Sequence, residues 1–270
     1  MRLTLSLFLA FTAVALAEPP RVVVVAIDEK TEAALGPFGG AYRARNAQVI
    51  SALDRAGAKA IGFAVSFGEN PAQEAGTRAM ARAIDASRAP VVVIAWTEEQ
   101  GGEVVAEPNA AAIRASKARQ ASAHAQGELI VESTDPLVAR TGEKVLHARA
   151  AGLPALSLQV LEAAGVATRG LVEQVTVGLT NGAPERVAAI RPGAAEGVTT
   201  ASYADLLAGK VDPALLKDAL VLVGRPGGDG DVMPHAAAVQ RGVRAAAKRG
   251  QGGAVQGATS ALDGLLGGER

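Results

Sequence analysis

Seven consecutive residues, Arg21 to Ile27 (RVVVVAI), constrain this chain more than any other segment, because four valines in a row leave no polar face. A strand that buries one face alternates apolar and polar residues. A run like this one is covered on both faces, as in a parallel sheet sandwiched between helices. The following residues agree. After the turn-rich LGPFGG at 35–40, residues 43–57 place Ala47, Ile50, Leu53 and Ala56 on one helical face, and Gly57 closes the helix. Lys59 to Ser66 (KAIGFAVS) reads as a second strand, 72–86 as a second helix and Ala89 to Trp96 (APVVVIAW) as a third strand. Alternating strands and helices imply right-handed crossovers. The expected class is α/β, a mostly parallel central sheet flanked by helices.

The second half is less regular. Residues 97–152 are polar and alanine-rich, with no sustained period, and read as an irregular or inserted region. Pro154 to Gly165 is a helix with proline at its start and glycine past its end. Leu171 to Leu179 and Arg186 to Ile190 flank Asn181-Gly182, a pair suited to the positive φ of a hairpin turn, so a hairpin is expected near 171–190. Ala201 to Ala208 reads as a short helix and Ala219 to Val223 as a last buried strand. Residues 236–270 are rich in alanine, glycine and arginine, and glycine pairs at 252–253 and 267–268 predict a flexible tail rather than a long helix.

At the amino end, Arg2 precedes an apolar stretch from Leu3 to Leu16, and Ala15-Leu16-Ala17 stands before Glu18. That is the layout of a secretory signal cleaved after Ala17. The stretch is diluted by Thr4, Ser6 and Thr12 and is shorter than the roughly 20 apolar residues that cross a bilayer; retention as an anchor is the alternative. The expected organisation is a signal peptide at 1–17, an α/β domain at 18–235 and a tail at 236–270. The location follows as periplasmic or secreted, with no membrane span after cleavage. The chain has no cysteine, which excludes disulfides, thiol catalysis and thiolate metal sites. Its 27 bases balance 27 acids, so no basic surface exists to displace counterions from nucleic acid.

Four stretches carry a family likeness: VVVVAIDEKTEAALG at 22–36, RARNAQVISALDRAGAKAIGFAVSF at 43–67, LPALSLQVLEAAG at 153–165 and ASYADLLAGKVDPALLKDALVLVG at 201–224. In this order and spacing they resemble the CHASE2 domain, an extracytoplasmic sensory module of bacterial receptors. The resemblance spans most of residues 20–235. It implies a sensory α/β fold that recognises a small molecule or a partner protein without chemistry, and no cofactor is expected. The chain departs from the family at Ala64, where an aspartate usually follows Gly-Phe, and in GPFGGAYR, which lacks the usual tryptophan between prolines. Both changes thin the polar set near the sheet's end. Such domains usually precede transmembrane helices and a cytoplasmic output, whereas no apolar run long enough to span a membrane follows residue 235.

Ligands of open parallel sheets settle outside the carboxyl ends of the strands. Asp28 stands there after the first strand, placed either to meet a ligand and hold Arg43 or, with Thr31, to cap the next helix. Ser66 ends the second strand. Trp96 ends the third, where its ring either stacks on a ligand or packs at the rim. The loop Gly224 to Asp231 (GRPGGDGD) has the glycines of a phosphate cradle but lacks the closing Gly-Lys-Ser/Thr. Asp229, Asp231 and His235 carry atoms that bind divalent cations, yet they form no EF-hand ligand set, and glycine and aspartate are what a surface loop uses. The candidate ligand-binding residues are therefore Asp28, Arg43, Ser66, Trp96, Asp229 and Asp231, with no catalytic or metal-binding residue assigned.

Three functions remain open. The first is an exported, non-catalytic sensory module that binds an unknown small molecule or envelope protein and acts through a partner. The second is a structural or interaction component of the envelope, docking through the middle region or the tail. The third is a periplasmic hydrolase using Ser66, His235 and Asp28, although no Gly-x-Ser-x-Gly elbow is present and His124, His147 and His235 lie in no motif.

Overall fold

The computed structural model describes residues 18–100, 103–123, 125–126, 128–130, 145–178, 185–227 and 231–266. The valine run forms β1 (Val22–Ala26), buried along its whole length. It leads through α1 (Glu29–Leu35) and α2 (Tyr42–Arg55) to β2 (Ala60–Ser66), then through α3 (Glu74–Ala86) to β3 (Val91–Gln100). β4 (Glu103–Glu107), α4 (Ala111–Ala115) and β5 (Arg119–Ser122) follow, and then the short strands β6 (Ala125–Gln126), β7 (Glu128–Ile130), β8 (Val145–His147), β9 (Arg149–Ala150) and β10 (Leu153–Pro154). The chain continues through α5 (Leu156–Ala163), β11 (Glu173–Gly178), β12 (Glu185–Ile190), β13 (Val198–Ser202), α6 (Tyr203–Leu207), α7 (Pro213–Leu216), β14 (Leu220–Gly224) and α8 (Val232–Leu266).

The central sheet runs β13-β1-β14-β2-β3-β5, every neighbouring pair parallel, and β4 pairs antiparallel with the outer half of β3. The alternation of side chains along β1 divides the core in two. Val22, Val24 and Ala26 face α5 and α8, with Leu156, Val160, Leu161 and Val239 above them. Val23 and Val25 face α2, α3 and α6, against Val49, Ile50, Leu53, Met80 and Leu206. Each fully buried valine contributes about 1.5–3 kcal/mol relative to an exposed one, which is why an unbroken valine strand is stable only here. The domain is thus a mixed α/β fold with a mostly parallel sheet covered on both faces. A second, antiparallel sheet, β6-β8-β12-β11-β7, holds the β11–β12 hairpin expected near 171–190. Its Asn181-Gly182 turn lies outside the described residues.

Three expectations change. The described residues of 97–152 are not irregular: they supply β4, α4 and β5 at the edge of the central sheet and β6 to β8 of the second one. β5 (RQAS) has no strand pattern of its own and is a strand because the open edge of β3 offers it a ladder. The strand β13 (VTTAS) also lacked a signal, being an edge strand with Thr199 and Thr200 exposed. Finally, the segment after residue 235 does not begin as a mobile tail. It continues α8, and Ala236, Ala237, Ala238, Val239 and Val243 are buried in the core.

Candidate functional site

Asp28 ends β1 as the N-cap of α1. Its Oδ1 accepts from the Thr31 backbone N–H at 2.8 Å, the Thr31 hydroxyl at 2.6 Å and the Ser202 hydroxyl at 3.0 Å. Burial pushes the Asp28 carboxyl up, but these three donors outweigh it and hold it below the usual aspartate value. The cap therefore ties α1 to the edge strand β13. It leaves Arg43 elsewhere: the guanidinium donates to the Gly68 carbonyl at 2.6 Å and to Thr77 Oγ1 at 2.8 Å. The pairing of Asp28 with Arg43 does not form.

Arg43, Ser66 and Trp96 come together in a cavity of about 310 Å³ at the carboxyl ends of β2 and β3, where Phe38, Asn46 and Arg225 also line the wall. Asp28 and Asp231 do not line it. The segment Gly36 to Tyr42 forms one rim. Its shape is set by the Tyr42 hydroxyl donating to the Gly36 carbonyl at 2.9 Å and by Phe38 packing edge-on against Tyr42. Asn109 clamps the strand ends: its Oδ1 accepts from the Phe67 N–H at 2.9 Å, and its amide donates to the Ile94 carbonyl at 3.0 Å and to Gln120 at 2.7 Å. Trp96 is 41% exposed, so it is a rim residue rather than core. A larger groove of about 790 Å³ runs between α2, α3 and α6, lined mainly by alanine and leucine with Gln48, Ser51, Arg55 and Arg82 among them, and it holds none of the residues singled out from the sequence.

The wall has one electrostatic sign. Its two ionisable side chains of fixed charge are Arg43 and Arg225, and no carboxylate lines it. Arg43 has no carboxylate within 4 Å among the described residues, and burial lowers its pKa while the charge of Glu69 opposes that. Arg225 stands over the Phe38 ring at 5.9 Å and reaches Glu32 at 3.7 Å. Asn46 is 1% exposed; its Oδ1 accepts from the Tyr203 hydroxyl at 2.8 Å, and its side chain lines the cavity.

Sequence reasoning missed Asn46. The buried face of α2 is Tyr42, Asn46, Val49, Ile50 and Leu53, one register away from the stripe read through Ala47 and Ala56. A single amide on an otherwise apolar helical face is the signal that marks it. Arg225 and Phe38 sat in loops whose position only the fold supplies.

The remaining candidates are apart from the cavity. Asp231 accepts from the Met233 N–H at 2.9 Å, at the start of α8. Asp229 and His124 lie outside the described residues. Ser66, His235 and Asp28 are joined by no hydrogen bond: Asp28 is occupied by Thr31 and Ser202, and His235, in the first turn of α8, is 2% exposed and bonded to the Ala123 backbone. Burial pushes the His235 pKa down to about 4, against the opposing effects of Asp231 and that hydrogen bond. Its Nδ1 has no partner among the described residues.

A parallel sheet covered on both faces, with its crevice at the strand ends, defines an open-sheet α/β domain. The chain belongs to the CHASE2 domain family, whose family model matches residues 1–248. That family consists of extracytoplasmic sensory domains. No curated protein and no solved structure is significantly similar to the chain. Among the described residues no helix is long and apolar enough to cross a membrane.

Proposed function

We propose that this protein is an exported, non-catalytic sensory module whose recognition site is the cavity at the carboxyl ends of β2 and β3, and that it passes its signal on through a partner protein. The observation that carries the reading is the meeting of Arg43, Ser66 and Trp96 at one cavity, with no base or nucleophile pair beside them among the described residues. The sheet supplies a rigid frame, and the start of α2, the strands β2 and β3 and the segment after β14 supply the contacts. At about 310 Å³ the cavity is at the small end of the roughly 300–1,000 Å³ typical of ligand sites. Export rests on the signal-like residues 1–17 and on the family's extracytoplasmic setting.

The test uses the one tryptophan of the chain as a reporter, since Trp96 stands at the rim. A library of small metabolites is titrated into the purified protein while Trp96 emission and melting temperature are followed. A ligand present at 100 times its Kd raises stability by about 2.7 kcal/mol. The expected result is a saturable change in emission accompanied by a rise in melting temperature, with the ligand recovered intact. Turnover of a bound compound would overturn the non-catalytic reading.

A further inference from the structure

We propose that the ligand of this cavity is a small organic anion carrying a planar apolar group; the assignment rests on the cavity being the recognition site. The wall presents donors and lacks acceptors of matching charge. Arg43 is spent on a carbonyl and a hydroxyl, neither of which neutralises it. The Asn46 side chain lines the same wall, with its Oδ1 held by the Tyr203 hydroxyl and its amide N–H groups as further donors. Ser66 adds a hydroxyl and Arg225 a second guanidinium. Guanidinium groups on a wall that no carboxylate lines favour a ligand that brings its own negative charge, and a guanidinium beside an amide matches a carboxylate or phosphate oxygen pair.

The start of α2 adds to this. The first turn of that helix holds Arg43 and Arg45 and no acidic residue, and Ala41 at its N-cap offers no side-chain acceptor. Cations at a helix N-terminus oppose the helix dipole, and an anion in the cavity relieves that opposition. The apolar requirement comes from the aromatic side chains on the same wall. Phe38 and Trp96 line it together, and the exposed Trp96 ring is a surface a planar group can cover. A cation lacks an acidic partner here, and the small volume suits one ring with a short charged substituent.

Three molecules of one shape and different charge separate the possibilities: benzoate, benzamide and benzamidine, with inorganic phosphate as charge without a ring. Each is titrated into the purified full-length protein, with Trp96 emission as readout. Benzoate is expected to bind at least tenfold more tightly than benzamide, benzamidine more weakly still, and the preference to shrink as salt is raised. Arg43→Gln is expected to abolish the preference. Asn46→Asp, which keeps an acceptor for the Tyr203 hydroxyl, is expected to weaken benzoate at least tenfold and to spare benzamide. Because Asn46→Asp keeps that core hydrogen bond, it serves if the Arg43 variant fails to fold.

Benzamide or benzamidine binding as tightly as benzoate would overturn the anionic assignment while leaving the cavity a binding site. Phosphate matching benzoate would overturn the planar group. Silence of Trp96 to all four probes would overturn both this assignment and the recognition site beneath it.

Discussion

At the scale of single residues, position in the sequence proved a better guide than pairing. Asp28 stood where a cap was one of two expected roles, and Thr31 and Ser202 show which role it takes. Its link to Arg43 was not legible, since Arg43 turns instead to Gly68 and Thr77, residues 25 and 34 positions away. His235 gives a prediction at this scale. An unfolded imidazole protonates near pH 6.5, whereas burial lowers the folded value to about 4. The unfolded chain therefore binds more protons between these two values. The contribution of His235 is fully present above about pH 6.5 and is lost as pH falls toward 4, by about 3 kcal/mol at most. Urea midpoints at pH 7.5 and 4.5 are expected to differ, and the difference to be smaller in His235→Leu. Equal falls in both proteins would rule out His235 as the source.

At the scale of elements, the sheet is set by what packs over it. Gly62 lies mid-strand in β2, where propensity alone favours a β-branched residue. A Cβ there would stand 2.6 Å from Val160 Cγ2 and 3.3 Å from Leu156 Cδ1, so the glycine lets α5 approach the sheet. Gly62→Val is accordingly expected to destabilise the fold by about 1–3 kcal/mol through overpacking, despite its better strand propensity. Denaturant midpoints decide the sign, and stabilisation would show that α5 is free to move. Gly242 plays the same part in α8, its missing Cβ making room for Leu161 Cδ1 at 2.5 Å. The close approach of α8 to α5 explains why a glycine sits in a helix that its sequence seemed to interrupt. β1, β2, β3 and β14 were legible because a run buried on both faces needs apolar residues at every position. β5 and β13 were not, because an edge strand takes its ladder from a neighbour.

For the whole molecule, the carboxyl-terminal segment changes role. Deleting 236–270 removes Ala236, Ala238, Val239 and Val243 from the core, together with the bonds from Arg249 to the Arg169 and Ala167 carbonyls. That deletion is expected to abolish cooperative thermal unfolding, followed by far-UV circular dichroism, and to cost more stability than deleting 251–270, which spares these contacts. Binding experiments that remove the whole segment would therefore report on folding rather than on docking. The sequence by itself determined the α/β class, the buried strands and the family likeness, because burial on both faces and helix periodicity are written in the local order of residues. Only the tertiary structure decided that Arg43, Asn46, Ser66, Trp96 and Arg225 share one cavity and that α8 belongs to the core. Those facts depend on which strand lies beside which. Strand β14, near the end of the chain, inserts between β1 and β2 at its start, bringing Arg225 to the same crevice as Arg43.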